Sequence, residues 1–524
     1  MAKVLFLTNS DFGQANVVLA VAHALLVRRG PDVEIHIASF GSLRDPVSKT
    51  SEFALRTSGK LGTRQIIFHE IDGISWGPAA WRPEVGYVEI NDQVPNFSNA
   101  LRAVLGISAV MLPWRPEEFL DIYRQLEGII SKVKPDVAVA DVLLTPATTL
   151  CHYLSLNWVV LAPNTIKDFA LPSQPGLAML WKYPLTCSAL PFPLPWSSIP
   201  RNIVLCLAAG YGLLTSTRVK NTTRILGQNV DPSIQLITAN ELGVLRPAPP
   251  GLKVLCAISP DLDYPVRVLP PNLEPCGPIV RAVPSLGADE PLNKWLLRRP
   301  TIYINLGTHM KASPEEGVEM ALALRDVLDH AASSTSALAN DEQGEPQILW
   351  KLGRKTSRPG EKIERDVFDG EWRGVLDVLT RDMDHDRVRI TDWVEAEPKS
   401  ILESGGVVCS ISHGGANSFY EALCAGIPQV LLPAWADCYD FGNRVEMLGI
   451  GRWANKQAKP RWMRSELAGC IVDVLFGPEA ALIKRRAVEL AKRHPEASGR
   501  DRAAEKIMAL AGSTRSTVDN CETE

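Results

Sequence analysis

The sequence lacks several features that would assign it to a common protein class. Its ten cysteines include no Cys-x-x-Cys pair, which argues against a structural zinc site and against a disulfide framework. It has no block of basic residues and a formal charge of −4, so nucleic acid is not an expected partner. The apolar run after Met1 is too short for a signal peptide, and scattered cysteines suit a reducing compartment, so a cytoplasmic location is predicted.

Long apolar runs and two nucleotide-binding motifs are also missing. The longest apolar stretch, Ile203–Thr215, is too short to span a bilayer and contains two glycines. We predict a buried helix there, with peripheral contact to a membrane surface as the alternative, and we predict no protein partner. Neither Gly-x-x-x-x-Gly-Lys nor Gly-x-Gly-x-x-Gly occurs, which argues against an ATPase and an NAD-dependent enzyme.

What is present is a regular alternation of strand and helix signals. A strand signal at Val4–Thr8, a helical pattern at Val17–Arg29 and a strand signal at Val33–Ala38 predict a parallel, doubly wound sheet. The alternation resumes at Thr301 after proline-rich zones. The fold class is therefore α/β, and a chain of 524 residues is long enough for more than one domain.

Composition also predicts where the domains end. Residues 1–275 form a first Rossmann-like domain and residues 276–490 a second one. Residues 491–524 form a C-terminal segment that packs back on the first domain and ends in a disordered tail after Gly512. The small and polar residues 331–346 predict a flexible loop.

Two features of the first domain lie where ligands bind in such sheets, at the carboxyl ends of strands. The loop Asn9–Asn16 follows the first strand and is a candidate wall of a site. Asp141 ends the buried strand Pro135–Asp141, where a carboxylate is costly unless it is solvated or hydrogen-bonded. Asp141 is therefore either a functional residue or the cap of the next helix.

The most informative stretch is Ser410–Glu421, which follows an apolar strand and leads into a helix. Gly414 and Gly415 allow close approach of a ligand to the backbone, and Asn417 and Ser418 are N-cap types. The N–H groups and positive dipole end of the helix would attract an anion, and His413 adds a donor. The pattern predicts a phosphate cradle, and an ordinary glycine-rich turn is the alternative.

Other residues of the second domain extend this cradle to a nucleotide diphosphate. Glu421 lies one turn beyond Ser418 and could accept hydrogen bonds from ribose hydroxyls. Trp393 follows a strand and could stack on a base. Asp437 follows Pro433 and could accept hydrogen bonds from the hydroxyls of a sugar.

These residues belong to a region, Trp393–Gly451, that closely resembles the signature of family 1 UDP-sugar glycosyltransferases. The resemblance implies the GT-B fold, in which two Rossmann-like domains face a cleft. The residues at Gly13–Asn16 and Ala434–Asp440 resemble those of the fungal branch of this family. The matching motifs are Ser412-His-Gly-Gly-Ala-Asn-Ser418, Glu421, Gly426-Ile-Pro428, Pro433 and Leu448-Gly-Ile-Gly451, with weaker matches at Asn305–Thr308, Ile348–Trp350 and Cys276–Pro278.

The resemblance implies an inverting transferase that moves a hexose, expected to be glucose, from a UDP-sugar to a hydroxyl of a small lipophilic or phenolic acceptor. The UDP-sugar would be a co-substrate, with no metal or other cofactor. Trp393 would stack on uracil, Val394 would bind it through the backbone, and Glu421 would hold the ribose. The diphosphate would be held by Thr308, His413, Gly415, Asn417 and Ser418, and the sugar would contact Asp437 and Cys438.

Two departures from the family pattern bear on catalysis. Gln14 stands where the family has a histidine base, and glutamine cannot take a proton. We therefore expect Gln14 to orient the acceptor and Asp141 to accept its proton, with Asp11 and His152 as weaker candidates and a readily ionised acceptor as another possibility. Cys438 replaces the usual glutamine, which leaves the donor sugar open. A nucleotide-sugar epimerase and a non-catalytic UDP-sugar- or lipophile-binding protein are the alternatives, the latter because of Gln14.

Overall fold

The computed structural model of the protein describes residues 1–87, 93–333, 345–355 and 370–521, with side chains up to residue 512. The chain divides into two compact units. The first unit is Met1–Ile90, Asn96–Ala282 and Glu496–Glu524, and the second is Asn91–Pro95 and Val283–Pro495. The predicted domain limits were 275/276 and 490/491. Most of the predicted loop at 331–346 lies outside the described residues.

The first unit is built on a seven-stranded parallel sheet with the strand order β3-β2-β1-β4-β5-β6-β7. Strands β6 and β7 were not predicted. The proline-rich sequence in this part of the chain, which includes Pro270, Pro271 and Pro275, disfavours strands. The prolines are tolerated because β7 is a three-residue edge strand. The strands are β1 (Ala2–Leu7), β2 (Val33–Phe40), β3 (Ile67–Ile71), β4 (Val137–Asp141), β5 (Trp158–Ala162), β6 (Lys253–Cys256) and β7 (Leu273–Pro275).

The order of the strands places a switch point between β1 and β4. From β1 the chain proceeds in one direction to β2 and β3, and from β4 in the other direction to β7. Leu7 of β1 pairs with Ala140 of β4, so Thr8 and Asp141 follow side by side at the carboxyl edge. Ligands of doubly wound sheets bind at such a point.

Helices cover the sheet of the first unit, and the first of them begins earlier than predicted. It starts at Phe12, so Gln14 lies in its first turn and the predicted loop Asn9–Asn16 is wrong beyond Asp11. The helices are α1 (Phe12–Arg29), α2 (Arg44–Ser58), α3 (Trp76–Ala80), α4 (Phe97–Met111), α5 (Pro116–Val133), α6 (Thr145–Tyr153), α7 (Ile166–Ala170), α8 (Ala178–Trp181), α9 (Ile199–Thr215) and α10 (Thr217–Asn229).

The prediction of a buried helix at Ile203–Thr215 was wrong. Helix α9 buries one face and exposes the other, because its apolar residues surround the whole helix while its contacts occupy one side. By length and composition, Trp196–Asn229 is apolar enough to cross a membrane, and the bent pair of α4 and α5 passes the same test together. Only 22% of the Trp196–Asn229 window is buried.

The second unit repeats the architecture with a six-stranded parallel sheet in the order β10-β9-β8-β11-β12-β13. Its switch point lies between β8 and β11, where Asn305 pairs with Ser412. The short edge strand β13 was not predicted. The strands are β8 (Thr301–Asn305), β9 (Gln347–Lys351), β10 (Val388–Thr391), β11 (Val407–Ser412), β12 (Gln429–Leu431) and β13 (Gly451–Trp453).

The helices of the second unit enclose a core that includes Ile304, Trp350 and Ile411, one residue from each of three neighbouring strands. This core fixes the carboxyl ends of β8, β9 and β11 relative to one another. The helices are α11 (Pro291–Leu296), α12 (Pro314–Ser333), α13 (Arg373–Asp384), α14 (Pro398–Leu402), α15 (Ala416–Cys424), α16 (Cys438–Met447), α17 (Arg464–Leu475) and α18 (Ala480–Arg493).

The chain ends in a long helix, α19 (Ser498–Cys521), which belongs to the first unit. Arg28 of α1 forms an ion pair with Asp501, and Asn157 donates to the carbonyl of Leu510 at 3.0 Å. The helix continues past Gly512, where the sequence predicted a disordered tail, as far as Cys521.

Candidate functional site

Asp141 ends β4 at the switch point of the first sheet, and donors of the protein itself bind its carboxylate. Its Oδ2 accepts hydrogen bonds from the backbone N–H of Asn9 at 3.0 Å, the Asn9 side-chain amide at 3.0 Å and the Thr8 hydroxyl at 3.5 Å. Its Oδ1 accepts from the N–H of Leu143 at 2.9 Å. The N-cap residue of α6 is Leu144, without a side-chain cap, so the alternative that Asp141 caps the next helix was wrong. The buried Asp141 side chain instead ties together the segments that follow β1 and β4, and its functional role stays a prediction.

Burial raises the pKa of Asp141 to about 6, against hydrogen bonds from Leu143 and Asn9 that lower it and a nearby Asp11 charge that raises it further. A carboxylate with such a pKa is ionised at neutral pH, yet it takes a proton more readily than an exposed aspartate. That property is the one required of a general base.

Gln14 lies in the first turn of α1, which follows Thr8 and Asn9 in the chain. Its amide oxygen is buried and has no hydrogen-bond partner among the described residues. A buried amide oxygen without a partner is unfavourable, so a hydrogen bond donated by a ligand would stabilise it. Gln14 is not among the four donors to Asp141.

The two weaker candidates have different surroundings. The carboxylate of Asp11 accepts the backbone N–H of Gly77 at 3.1 Å, which ties the start of α1 to α3. A Cβ at Gly77 would lie 2.4 Å from Asp11 Oδ1, so glycine is required there for this contact. His152 lies near the end of α6 and is half-buried. Asp11 is thus a structural tie, and His152 lies at the opposite end of α6 from Asp141.

In the second unit, the predicted cradle forms at the end of β11. The helix α15 begins at Ala416, and its N-cap is Gly415, with φ −67° and ψ 148° and no side-chain cap. The expectation that Asn417 and Ser418 cap this helix was therefore wrong, because both lie inside its first turn. Both residues therefore lie at the positively polarised N-terminal end of a nine-residue helix, where an anion is favoured.

The ring of His413 is held between two glycines from two strand ends. A Cβ at Gly307 would lie 2.9 Å from His413 Cε1, and a Cβ at Gly415 would lie 2.5 Å from His413 Nε2. The ring also lies 5.4 Å from that of Trp435, and its Nδ1 is buried without a hydrogen-bond partner. Because Thr308 follows Gly307, the ends of β8 and β11 meet around this imidazole.

The His413 imidazole is neutral at physiological pH. Burial lowers its pKa to about 4, and the positive charge of Lys351 contributes in the same direction. A neutral imidazole still donates one N–H. His413 can therefore donate to a phosphate oxygen and gain a proton when negative charge arrives.

Trp393 and Val394 follow β10 and line a cavity of about 400 Å³. The Trp393 ring is 62% exposed, and the Lys351 ammonium lies 4.7 Å from its centroid. The Thr391 hydroxyl, which donates to the Trp393 carbonyl at 2.6 Å, fixes the turn that carries the ring. An exposed aromatic ring at a strand end suits stacking by a planar ligand.

The remaining predicted residues lie around the same edge. Glu421 is on α15, and its charge helps to raise the pKa of the buried Tyr303 of β8. Asp437 is the N-cap residue of α16. Cys438 follows it with a buried side chain, and burial raises the pKa of its thiol. A Cβ at Gly414 would lie 3.3 Å from the Cys438 carbonyl, so Cys438 contributes backbone rather than thiol to this edge.

Known proteins match this arrangement. The family model described as "UDP-glucoronosyl and UDP-glucosyl transferase" matches residues 375–482, which contain the cradle. A glycosyltransferase named sdnJ from Sordaria araneosa is 31% identical over 97% of this chain and 98% of its own length. The chain belongs to the UDP-glycosyltransferase family. As a member of this family it is a UDP-dependent glycosyltransferase, and the UDP-sugar is a co-substrate.

Solved structures of UDP-glycosyltransferases share its fold. A UDP-glucosyltransferase from Polygonum tinctorium has a TM-score of 0.59 at 15% identity, covering 98% of this chain and 99% of that one. Phytolacca americana UGT2, complexed with UDP-2-fluoro-glucose and pterostilbene, has a TM-score of 0.58 at 14% identity over 98% and 99%. The predicted GT-B fold, with its two doubly wound sheets, is confirmed.

In this UDP-glycosyltransferase, sequence reasoning missed Lys351 and Gly307. Lys351 ends β9 in register with Asn305 and Thr391, so it reaches the same edge as the cradle. A lysine at the end of a buried strand was the available signal. Among the described residues, no cluster of three histidine, cysteine or acidic side chains could hold a metal ion.

Proposed function

We propose that the enzyme moves a hexose, glucose in the first instance, from a UDP-sugar to a hydroxyl of a small lipophilic or phenolic acceptor, with inversion at the anomeric carbon. The observation that carries the donor half is the His413 ring between Gly307 and Gly415, at the N-terminus of α15. A neutral imidazole that can donate an N–H and the positive end of the helix both favour a diphosphate there.

The proposed donor contacts follow the strand ends. Trp393 stacks on uracil, Val394 binds it through the backbone and Glu421 holds the ribose. The diphosphate is bound by Thr308, His413, Gly415, Asn417 and Ser418, and the sugar by Asp437 and the Cys438 backbone. The departing UDP gains negative charge, and fixed donors in this cradle can stabilise it without a metal.

We add Lys351 to this set. Its ammonium lies over Trp393 and its charge reaches His413, so it is placed between the base-stacking ring and the phosphate donors. Burial lowers the Lys351 pKa, which means that the free enzyme holds this charge at a cost. A diphosphate would offset that cost, since it supplies the missing opposite charge.

For the acceptor half, we propose that the side-chain amide of Gln14 orients the acceptor and that Asp141 takes the proton of the acceptor hydroxyl as that oxygen bonds to the anomeric carbon and UDP leaves. The pKa of about 6 supports a basic role for Asp141. Its four hydrogen bonds favour the charged form and limit its basicity. Acceptors that ionise readily, such as phenols, therefore suit this enzyme best.

Two of the fold relatives support aromatic acceptors. The Phytolacca americana protein is complexed with pterostilbene, and the Polygonum tinctorium protein can glucosylate indoxyl. None of the nine cysteines with described side chains forms a disulfide bond. That supports a reducing, cytoplasmic setting as part of the proposal.

The test is to incubate the full chain with UDP-glucose and a panel of phenols and aliphatic alcohols, measuring UDP release and glycoside by mass spectrometry. We expect phenolic glucosides, a loss of at least 100-fold for His413→Ala, and little change for His385→Ala, an exposed histidine of the same unit. Equal loss in both variants would contradict the cradle.

A second candidate, a UDP-sugar-binding protein without turnover, is favoured by Gln14 alone. It predicts binding of UDP-glucose by calorimetry, dependent on His413, with no glycoside from any acceptor. The same assay with other UDP-hexoses decides whether the absence of product reflects the wrong donor.

A further inference from the structure

Helix α9 carries a stripe of exposed apolar side chains that the transfer reaction does not use. Val204, Leu207, Tyr211 and Leu214 recur at helical spacing and are 46–65% exposed. Trp196, in the turn before the helix, is 87% exposed. We call these five residues the α9 face. Contiguous exposed apolar surface of this kind marks an interaction site.

The opposite side of α9 is firmly attached to the first unit. Asn202 is buried, donates to the carbonyls of Leu180 and Tyr183 at 2.9 Å each, and accepts from the N–H of Leu185 at 2.9 Å. A Cβ at Gly212 would lie 2.6 Å from the carbonyl oxygen of Leu105 in α4, so the two helices are in backbone contact. A helix that packs on the first unit and buries Asn202 against it can contact a membrane surface with its exposed face, but it does not cross the membrane.

The charge around the α9 face is unusual for this chain. From residue 169 to residue 230 there is no acidic residue, while Lys182, Arg201, Arg218, Lys220 and Arg224 supply five positive charges. Residues 93–116, which include the packed helix α4, also contain no acidic residue and two arginines. The whole chain carries a formal charge of −4, so positive charge is concentrated in these segments.

Several of these cations are available to solvent. Lys220 and Arg224 on α10 and Arg102 on α4 have exposed side chains. Arg218 has another use, since it donates to the carbonyls of Pro113 and Trp114 at 3.1 Å each. Exposed cations close to an apolar stripe with Trp and Tyr are the combination that interfacial helices use at anionic lipid.

We propose that the α9 face docks the enzyme on the surface of a bilayer that contains anionic lipid. The axis of α9 lies parallel to the membrane, the apolar stripe enters the boundary between head groups and acyl chains, and Lys220 and Arg224 contact phosphate or carboxylate head groups. The proposal does not depend on which sugar or acceptor the enzyme uses.

The test is co-sedimentation of the full chain with phosphatidylcholine vesicles, with and without 30% phosphatidylserine. We expect binding to the anionic vesicles, at least tenfold weaker binding for Leu207→Ser/Tyr211→Ser, and weaker binding of the native chain at 0.5 M salt. Lys220→Glu/Arg224→Glu should lose affinity for the anionic vesicles. The control is Leu61→Ser, an equally conspicuous exposed leucine of the same unit at 95% exposure.

Exposed positions are used so that the variants stay folded, which their thermal melts and UDP affinity check. Absence of binding to either vesicle, or equal loss in Leu61→Ser, would overturn the proposal. So would a dimer in sedimentation velocity that Leu207→Ser/Tyr211→Ser dissociates while vesicles bind neither protein, because the face would then be a contact between two copies.

Discussion

The carboxyl edges of the two sheets share the same strand topology, but their central titratable side chains differ in hydrogen bonding. At the edge of the first sheet, the Asp141 carboxylate is buried and accepts from Thr8, Asn9 and Leu143. At the edge of the second, the His413 imidazole has a buried Nδ1 without a partner, and a helix N-terminus lies beside it. The carboxylate at the first edge already has donors from the protein, whereas the imidazole Nδ1 at the second edge has no partner among the described residues. The strand topology that the two sheets share therefore does not decide which edge binds the charged ligand; the balance of hydrogen-bond donors and acceptors does.

The largest expected effect comes from removing the space that one glycine leaves in the second edge. Gly415→Ala should lower kcat/KM by 100-fold or more, because the added Cβ would lie 2.5 Å from His413 Nε2 and the ring is confined by Gly307 on its other side. Gly469→Ala in α17, where a Cβ meets nothing within 4 Å, is the matched control. Retention of activity in Gly415→Ala would show that the ring position is unimportant.

The second prediction uses pH to separate the edges. The folded pKa of Asp141, about 6, exceeds its ordinary value of 3.8, so its contribution to the free energy of unfolding decreases as pH rises from 3.8 to 6, by roughly 3 kcal/mol. The folded pKa of His413, about 4, is below its ordinary 6.5, so stability decreases as pH falls through that window.

Urea unfolding between pH 4 and 7.5 of the native chain, Asp141→Asn and His413→Gln measures both slopes. Asp141→Asn should remove the decrease in the free energy of unfolding as pH rises. His413→Gln should remove the decrease in the free energy of unfolding as pH falls. Identical pH dependence in all three proteins would mean that neither group titrates abnormally.

The third prediction converts the first edge into the usual form of the family. Gln14→His should raise kcat about tenfold with aliphatic alcohols, because an imidazole can take the proton that glutamine cannot. The gain should be smaller with phenols, which need less help. Rates at several pH values with both acceptor classes measure this, and a decrease with both would argue that Gln14 holds the acceptor through its amide.

The smallest effect is expected for Lys351→Gln, which removes charge but leaves the backbone donors of the cradle. We expect UDP to bind about fivefold more weakly by calorimetry, with a stronger dependence of the native affinity on salt. Lys484→Gln, an exposed lysine on α18, serves as control. Unchanged UDP affinity would remove Lys351 from the donor site.

The sequence predicted what depends on local patterns. Strands such as β1, β4, β8 and β11 each contain a short run of apolar residues, so the alternation of strands and helices could be predicted. The cradle could be predicted because its glycines, histidine and helix are contiguous. The start of α15 was misplaced by two residues, since Asn417 and Ser418 have strong N-cap propensity but the backbone turns at Gly415.

Non-local features could not be predicted in this way. Lys351 approaches Trp393 and His413 only because four strands end in register. The exposure of α9 depends on which of its faces packs against α4. Because apolar residues surround the whole helix, its sequence does not indicate which face is buried. Similarly, nothing local indicated that Asn9 and Leu143 would surround Asp141 with donors.

The neutral imidazole between Gly307 and Gly415 has a consequence for product release. A bound diphosphate raises the His413 pKa from its value of about 4, so UDP binds together with part of a proton and leaves together with it. Acidic buffer, which protonates the ring while the diphosphate is bound, therefore slows the departure of UDP and strengthens product inhibition. Turnover that is limited by release would slow as pH falls even when the transfer step itself does not.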